Sequence, residues 1–340
     1  MSFKCAVVGC GGRSGGHADA YRLIKRGKLV ACCDLNKKLM DQFAERYQIP
    51  GRYTDMMEMI QKERPDVLHI VTPPTVRVGL MRRAMDAGVP GAIVEKPICV
   101  GGKDYKELVA LEKKSKTKFV VNHQLRHQPR IVEFLDDVAQ GKIGQVRFID
   151  ASAVFPMAGQ GVHVLDLMFA FAGYNPVATV FGASSGYDDI DGHHPTSKTA
   201  ECLITFANGI RAALQAGKGA PMVDPSAPGW GHKRVAVYGT NGFRYWWMQG
   251  WEKSAPSGGT ERGVTDYAAV DVQAQAGLTN AMFDWLEDDK KVSPTNLKTS
   301  LDQWLVILAG YLSTIESRPV DMPFDPADDL LDQFVKHVRS

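Results

Sequence analysis

Several features that mark whole classes of protein are missing from the sequence. Its 340 residues include six cysteines but no C-x-x-C pair, so the spacing of a zinc or dithiol motif is absent. Its longest apolar runs fall far short of the roughly 20 residues that span a bilayer. Charge of one sign is not in excess, because 40 Lys and Arg stand against 38 Asp and Glu. The composition therefore gives no electrostatic reason to expect a nucleic acid or a membrane as partner.

What is present indicates a folded protein of about two domains. Hydrophobic residues make up 44% and charged residues 23%, close to the globular average, which excludes extensive disorder. The chain passes from Met1 directly into an apolar run, without the features of a signal peptide. We therefore expect a cytoplasmic location, with the cysteines as buried, reduced thiols.

The first 122 residues alternate short apolar runs with amphipathic stretches. The apolar runs are 5–8, 29–33, 67–71, 92–94 and 119–121. Each is nearly continuously apolar, which is typical of parallel strands covered by helices on both faces. The predicted fold class is α/β, with a dinucleotide-binding Rossmann domain, a doubly wound parallel sheet, over residues 1–122.

The pattern changes after residue 122, where strands become long enough to alternate. Asn208-Gly209 and Asn241-Gly242 separate such strands and are strong hairpin signals. They predict a C-terminal α+β domain over residues 123–325, with an open, mainly antiparallel sheet.

Three segments of the second half are predicted from their local composition. Residues 186–198 and 252–264 are rich in Gly, Ser, Pro and charge, and we expect loops there. Asp325 as N-cap and Pro326 at the first helical position predict a C-terminal helix within residues 326–340.

A glycine-rich turn follows the first strand and opens a helix. Gly9 permits the tight turn, Gly11 lets the backbone approach a pyrophosphate, and the third motif position is Ser14. Asp34 ends the second strand, where a carboxylate accepts ribose hydroxyls and repels a 2′-phosphate. We therefore predict NAD as cofactor, in preference to NADP. A glycine turn without a ligand is the less favoured alternative.

Further motifs make the sequence resemble a known enzyme family. They are Thr72-Pro73-Pro74, Glu95-Lys96-Pro97, the segment GVHVLD at 161–166, and Arg318-Pro319-Val320 with Pro323. Together with the glycine turn they resemble the Gfo/Idh/MocA oxidoreductases, named after glucose-fructose oxidoreductase, inositol dehydrogenase and a rhizopine catabolism protein. The resemblance implies that the second domain binds substrate and mediates oligomerisation, and that the reaction occurs at a hydroxyl carbon of a carbohydrate or cyclitol.

The resemblance implies two catalytic residues, Lys96 and His163. Lys96 follows a parallel strand, where open α/β sheets bind ligands, and its ammonium would stabilise a developing alkoxide. His163 can take the hydroxyl proton, and Asp166 lies three residues later on the same helical face. Taken alone, Lys96 is equally compatible with a solvated lysine near a strand end. A His and an Asp at this spacing in an apolar helix more often form a structural pair than a catalytic one.

The expected contacts to cofactor and substrate overlap. The predicted cofactor-binding residues are Gly9, Gly11, Gly12, Arg13, Ser14, Asp34, Leu35, Thr72, Pro73, Pro74, Arg77, Glu95, Lys96 and Gln124. The predicted substrate-binding residues are Lys96, Gln124, Arg126, His163 and Asp166. No metal site is predicted. His123 and His127 are four apart, but their segment precedes Pro129 and need not be helical, and the spacing of His193-His194 with its neighbouring aspartates matches no ligand set.

Three departures from the family pattern are visible. Gly159 stands where many sugar dehydrogenases of the family carry an aspartate, so the base lacks that carboxylate partner. The segment between Phe155 and His163 is unusually short. Arg77 stands where a histidine often follows the Thr-Pro motif. These departures leave the cofactor prediction intact and bear on the specific reaction.

An aromatic cluster occurs in the second domain. Five aromatic residues fall between Phe243 and Trp251, and alternation places Phe243, Tyr245 and Trp247 on one strand face. These aromatic residues could stack on a sugar substrate or pack between subunits, and the sequence is compatible with both functions. We favour packing for one face, because an exposed aromatic sheet face is an association site. A homodimer or homotetramer is expected.

These features predict an NAD-dependent oxidoreductase that oxidises a secondary hydroxyl of a pyranose, a sugar derivative or a cyclitol. One alternative is a redox-assisted glycosidase or lyase that recycles its NAD. Another is a non-catalytic NAD-responsive regulator, which the glycine at 159 would favour and the retained Lys96 and His163 oppose. In each case the expected partner is a small molecule.

Overall fold

The structure, a computed structural model, describes residues 2–190 and 194–339, and the side chains of all of these except 187–190 and 194–195. The chain divides into two compact units. The first comprises the described residues up to Cys99, Glu107–His127 and Asp271–Leu301; the second comprises Val100–Lys106, the described part of Gln128–Val270, and the described residues from Asp302 onward. The domain boundaries expected after residues 122 and 325, and the dinucleotide-binding and substrate-binding roles assigned to the domains, stay predictions.

The first unit contains a six-stranded parallel sheet. Its strands are β1 (Phe3–Val8), β2 (Gly27–Cys33), β3 (Gly51–Tyr53), β4 (Val67–Ile70), β5 (Gly91–Val94) and β6 (Lys118–Val121). They lie in the order β3-β2-β1-β4-β5-β6, the order of a Rossmann fold. The predicted doubly wound sheet is confirmed, and β3 is a strand that the sequence patterns did not reveal.

Ten α-helices occur in the described part of the chain. They are α1 (Ser14–Asp19), α2 (Lys37–Tyr47), α3 (Met56–Glu63), α4 (Pro74–Asp86), α5 (Gly102–Lys114), α6 (Pro129–Ala139), α7 (Val162–Phe171), α8 (Tyr267–Glu287), α9 (Leu297–Glu316) and α10 (Leu330–Arg339). None of them is both long and apolar enough to cross a membrane.

Both faces of the first sheet are covered by apolar side chains. On one face Phe283 and Met282 of α8 join Ile93 and Val120 in a fully buried cluster. A second apolar cluster of this unit contains Met40, Phe43 and Ala44 of α2 together with Cys32 of β2. All six cysteines are buried and free, as expected. This double coverage explains why the strands are continuously apolar.

The second unit contains a nine-stranded sheet. Its strands are β7 (Val146–Ala153), β8 (Val177–Ile190), β9 (His194–Phe206), β10 (Arg211–Gly217), β11 (Lys233–Gly239), β12 (Phe243–Trp247), β13 (Gly250–Ser254), β14 (Thr260–Val264) and β15 (Val320–Asp321). Neighbouring strands are antiparallel except β7 and β10, which run parallel. The predicted open, mainly antiparallel sheet is confirmed.

Two segments predicted as loops are largely strand. Residues 186–190 and 194–198 extend β8 and β9, whose backbones pair as far as Ile190 and His194. Residues 252–254 and 260–264 belong to β13 and β14, which pair with each other. Hairpin pairing satisfies the backbone groups of both strands, so a polar, Gly-rich and Ser-rich composition does not prevent strand formation.

The predicted start of the last helix is also wrong. The helix begins at Leu330 and not at Pro326. The backbone before Leu330 makes a contact outside the helix: the carbonyl of Asp328 accepts the N–H of Lys103 in the first turn of α5. That N–H has no partner within its own helix.

Candidate functional site

The predicted site residues of the first unit follow strands of the parallel sheet. The glycine turn follows β1, Asp34 follows β2, Thr72 follows β4, Glu95 follows β5, and Asn122 follows β6. Parallel strands bring their carboxyl ends to one edge. The strand order reverses between β1 and β4, and ligands of open α/β sheets bind in the crevice at such a point.

The glycine turn is tight on its inner side and open on its outer side. Gly9 has a φ of +93°, and a Cβ built there would overlap the carbonyl oxygen of Val71. A Cβ built at Gly11 or Gly12 would meet no atom within 4 Å. The Ser14 hydroxyl donates to the carbonyl of Gly11, so the start of α1 is joined to the turn. Glycine is therefore required by the fold at position 9, and leaves open space at positions 11 and 12.

The carboxylate of Asp34 is held in a fixed orientation. Its Oδ2 accepts the N–H of Cys10 at 2.7 Å, and its Oδ1 accepts the N–H of Asn36 at 2.7 Å. Asn36 in turn caps α2 by accepting the N–H groups of Lys38 and Leu39. The aspartate thus connects the glycine turn to the start of α2.

A groove of about 520 Å³ opens between these elements, and we call it the Asp34 groove. It is lined by Val8, Gly9, Gly11, Cys33, Asp34, Leu35, Leu39, Thr54, Asp55, Met56, Val71, Thr72, Pro73, Val76, Gly79, Leu80 and Arg83. Six predicted cofactor residues are among them: Gly9, Gly11, Asp34, Leu35, Thr72 and Pro73. Leu35 is 92% exposed. The volume of the groove suits a small-molecule ligand.

A second group of polar side chains surrounds Glu95 and is largely buried, although the Arg13 side chain is 38% exposed. The Glu95 network consists of Arg13, His17, Tyr21, His69, Glu95, Asn122 and Gln275. One carboxylate oxygen of Glu95 accepts Nε of Arg13 at 2.8 Å, Nε2 of His17 at 3.0 Å and Nδ2 of Asn122 at 2.7 Å. Three donors on one oxygen indicate that the carboxylate is ionised.

The protonation states in the Glu95 network follow from burial and charge. Burial opposes the charge of Glu95, but Arg13 and the hydrogen bond from His17 outweigh it and hold the pKa of Glu95 well below its usual range. Burial lowers the pKa of His17, and it lowers the pKa of His69 further. Burial also raises the pKa of Tyr21 well above its usual value. The site therefore holds one anion beside neutral imidazoles and a neutral phenol.

Lys96 and Gln124 occupy neighbouring strand ends of the first unit. The N–H of Lys96 donates to Oε2 of Glu95 at 3.2 Å, and the Lys96–Pro97 peptide bond is cis. Gln124 is buried and donates from Nε2 to Oδ1 of Asp271 at 3.1 Å, while its Oε1 has no hydrogen-bond partner. Arg126 is buried close by in sequence. An amide oxygen without a partner is available to a ligand donor.

His163 and Asp166 belong to the second unit. Both lie on α7, which is buried at every position. Oδ1 of Asp166 accepts Nε2 of Gln303 at 2.9 Å. Gly159 lies in the π-helical turn Met157–Gly161 that precedes α7. Asp166 is therefore joined to α9 as well as lying one turn beyond His163.

Comparison with known proteins identifies the dinucleotide-binding domain. Residues 3–123 match the Gfo/Idh/MocA group, described as an oxidoreductase family with an NAD-binding Rossmann fold. The match confirms the resemblance of the first domain to the Gfo/Idh/MocA oxidoreductases. The cofactor of this domain is NAD, as the glycine turn and Asp34 predict.

Individual relatives are more distant. D-apiose dehydrogenase of Paraburkholderia graminis is 29% identical over 236 residues, which cover 62% of this chain and 60% of that protein. Inositol 2-dehydrogenase of Rhizobium meliloti is 21% identical over 257 residues, 71% of this chain and 74% of that protein. An Agrobacterium radiobacter oxidoreductase, solved with NAD⁺, L-tartaric acid and magnesium, superimposes with a TM-score of 0.80 at 19% identity, covering 94% of this chain and 98% of that one. This last likeness shows a shared fold.

The Asp34 groove fits NAD. The open space outside Gly11 and Gly12 admits a pyrophosphate, and the Asp34 carboxylate is oriented for ribose hydroxyls. The Thr72 hydroxyl, also in the groove, has no hydrogen-bond partner in the structure. Asp55 adds a second carboxyl group, which disfavours a 2′-phosphate.

The remaining predicted cofactor residues lie outside the groove lining. They are Gly12, Arg13, Ser14, Pro74, Arg77, Glu95, Lys96 and Gln124. Arg77 is buried, and its guanidinium donates to the carbonyl oxygens of Thr72 and Pro97. Burial lowers its pKa to about 10. Arg77 thus joins the loops that follow β4 and β5, and its contact with the cofactor stays a prediction.

Several residues of the site were missed by sequence reasoning. Thr54, Asp55 and Met56 line the groove because they follow β3, which was not predicted. His69 offered a signal, since it is a polar residue inside the apolar run of β4. Gln275 offered none, because it comes from α8, far along the chain.

The side chains that the structure describes do not form a metal centre. Among them, no three His, Cys, Asp or Glu residues are grouped so as to hold a metal ion. The pair His193-His194 with its neighbouring aspartates lies outside the described side chains.

Proposed function

We propose that the protein is an NAD-dependent dehydrogenase that oxidises a secondary hydroxyl of a pyranose, a sugar derivative or a cyclitol. The observation that carries the proposal is one sheet edge in the first unit. There the Asp34 groove fits NAD, and Lys96 follows an ionised, buried Glu95. The names of the relatives, D-apiose dehydrogenase and inositol 2-dehydrogenase, support this substrate class.

The first unit would hold the cofactor through backbone and carboxylate groups. The start of α1 offers N–H groups and a positive dipole end to the pyrophosphate, and Asp34 accepts the ribose hydroxyls. When bound, NAD supplies the hydride acceptor. Leu35 and Leu39 give the groove an apolar side.

Lys96 would act on the substrate oxygen. As the hydroxyl carbon is oxidised, negative charge grows on that oxygen, and an ammonium stabilises it more in the transition state than in the ground state. The charge of Lys96 in turn helps Arg13 and His17 to keep the pKa of Glu95 below its usual range. Gln124 and Arg126 are proposed to orient the same substrate.

His163 would be the general base. A neutral imidazole accepts the hydroxyl proton at near-neutral pH. Asp166 is proposed to bind the substrate beside His163. The orientation of its carboxylate is fixed by the hydrogen bond from Gln303. With glycine at position 159, the usual second carboxylate of the family is absent, so the effect of removing His163 is the most informative single measurement.

The protein is further proposed to be a cytoplasmic homodimer or homotetramer. Phe243, Tyr245 and Trp247 alternate as half-buried residues on one face of β12, whereas Trp246 is fully buried on the other. The alternation predicted for this strand is confirmed. Covering the half-buried face with a second copy would remove aromatic surface from water. A monomer in sedimentation at micromolar concentration would contradict this assembly.

The activity is tested by supplying NAD with a panel of pentoses, hexopyranoses and cyclitols and following NADH absorbance. Net NADH formation with a free sugar or cyclitol supports the proposal. Bond cleavage of a glycoside without net NADH would replace it with the redox-assisted lyase. Tight NAD binding with neither activity would replace it with the NAD-responsive regulator.

A further inference from the structure

We infer that Tyr21, His69 and His17 form a proton-ordered relay that holds Glu95 ionised and oriented next to Lys96, so that His17 is a positioning residue of the site. The inference rests on the role proposed for Lys96. None of these three side chains belongs to the predicted catalytic or binding residues.

The relay is continuous at hydrogen-bond distance. Oη of Tyr21 lies 2.7 Å from Nε2 of His69, whose Nδ1 lies 3.0 Å from Nδ1 of His17. Nε2 of His17 lies 3.0 Å from Oε1 of Glu95. Both histidines are fully buried, so water does not compete for these contacts.

Glu95 sets the direction of every proton in the relay. Its Oε1 already accepts Arg13 and Asn122, so it faces His17 as an acceptor and Nε2 of His17 must carry the proton. A neutral His17 then has a bare Nδ1, which requires a proton on Nδ1 of His69. His69 in turn presents a bare Nε2, which accepts the Tyr21 hydroxyl.

The opposite direction is chemically inconsistent. It would place the bare Nε2 of His17 against a carboxylate oxygen at 3.0 Å, with lone pairs facing each other. Nδ2 of Asn122 also lies 3.2 Å from this nitrogen, but its two hydrogens are already donated to Glu95 and Gln275. A proton on Glu95 would remove that conflict, but it would also weaken the charge-assisted bond from Arg13. One tautomer of each histidine therefore fits the site.

The surrounding charges favour the same state. The charged groups that act on His17 are Arg13, Glu95 and Asp271, and those that act on Glu95 also include Lys96. The neutral amides of Asn122 on the loop after β6 and Gln275 on α8 complete the enclosure. The relay thus contributes a neutral donor to Glu95 without adding a second cation.

The first measurement is the tautomer of each histidine, because a purely structural role of the network would not require one particular tautomer. In the wild-type chain, labelled with ¹⁵N-histidine, we expect His69 to carry its proton on Nδ1 and His17 on Nε2, both neutral from about pH 6 to pH 8. A cationic ring in that range, or the reverse tautomers, would overturn the inference. This measurement does not depend on finding a substrate.

The Tyr21→Phe variant removes one hydroxyl from the far end of the relay. Nε2 of His69 then loses its hydrogen-bond donor, and we expect the ring signals of both His69 and His17 to shift. Tyr53→Phe is the matched control, because its hydroxyl donates to Glu63 and not to either histidine of the relay. Unchanged histidine signals in a folded Tyr21→Phe variant would overturn the relay.

The consequence for the site is measured with a substrate found in the panel. Tyr21→Phe should lower kcat roughly three- to tenfold, the range expected for one lost hydrogen bond, with the KM for NAD unchanged. The acid limb of the kcat profile should move to higher pH, because Glu95 would protonate more readily. His17→Gln, whose amide can still donate to Glu95, should retain more activity than His17→Leu. Equal loss in both His17 variants, with no shift in the pH profile, would leave the network merely structural.

If no sugar or cyclitol is oxidised but the wild-type tautomers are as stated, the proposed function fails and the relay stands. If NADH forms but the tautomers differ, the function stands and the relay fails.

Discussion

The Asp34 groove and the Glu95 network lie at the carboxyl ends of the same six strands, but they use polar groups in opposite ways. The groove leaves space outside Gly11 and a hydroxyl on Thr72 without a partner. The network pairs its buried side chains with one another. Polar groups without protein partners, as in the groove, can bind a ligand. Polar groups that are already hydrogen-bonded to one another, as in the network, instead fix the charge and geometry of the site.

This difference separates affinity from rate. Changes in the groove should act mainly on NAD binding, and changes next to Glu95 should act mainly on turnover. Leaving a member of the closed network without its partner also costs stability, about 1–3 kcal/mol for each buried polar group. The following variants test this separation in order of decreasing effect.

The largest effect is expected for the two proposed catalytic residues. His163→Ala should lower turnover by roughly 10²- to 10⁴-fold, the usual scale for a positioned base, with NAD affinity nearly unchanged. Lys96→Ala should be at least as damaging, because it removes the charge that stabilises the substrate oxygen. Steady-state kinetics and NAD titration by intrinsic fluorescence measure the two quantities. Near wild-type turnover in a folded His163→Ala variant would leave Lys96 as the proton acceptor as well.

Two glycines of the same turn should respond differently. Gly9→Ala places a Cβ against the Val71 carbonyl at a φ of +93°, so unfolding should become easier by about 1–3 kcal/mol and NAD binding should be lost. Gly11→Ala meets no protein atom, so stability should hold while NAD binds more weakly. Urea unfolding and NAD titration of both variants measure this contrast, which equal stability losses would contradict.

A smaller change is expected at Asp34. Asp34→Ala removes the carboxylate that accepts ribose hydroxyls, so NAD should bind roughly tenfold more weakly. NADP should bind more tightly than it does to the wild type, because the repulsion is gone and Arg83 lines the same groove. Titration with both dinucleotides decides this, and tighter binding of NADP by the wild-type protein would refute the assigned role of Asp34.

The last effect is a dependence of stability on acid, which is spread over several pH units. His17 and His69 have lowered pKa values when folded, so below about pH 6.5 the unfolded chain binds more protons and stability falls. The lowered pKa of Glu95 adds a further loss below about pH 4.3. Each group contributes a slope of up to about 1.4 kcal/mol per pH unit.

Urea unfolding at a series of pH values measures that slope. His69→Gln should flatten it, whereas His337→Gln, a change at an exposed histidine, should not. A stability that stays constant between pH 7 and pH 4 would show that the two buried histidines do not titrate on unfolding.

Local patterns predicted much of the first unit. The apolar runs place five of its six strands, and the glycine turn together with Asp34 correctly locates the cofactor groove. The second sheet was predicted in type but not in extent, because the pairing of β8 with β9 and of β13 with β14 turns polar segments into strands. The start of α10 was predicted wrongly because the carbonyl of Asp328 accepts the N–H of Lys103 in α5, a residue far away in the sequence.

The sequence by itself determined the Rossmann unit, the glycine turn and the choice of NAD, because each depends on residues that are close together in the chain and have strong local preferences. Only the tertiary structure decided the Glu95 network. It joins α1, β4, the loops after β5 and β6, and α8. Apart from the polar His69 inside the apolar run of β4, no periodic or local signal marks these contacts. The physical reason is that a buried hydrogen bond depends on distance and on the absence of water, and both are fixed only when the chain has folded.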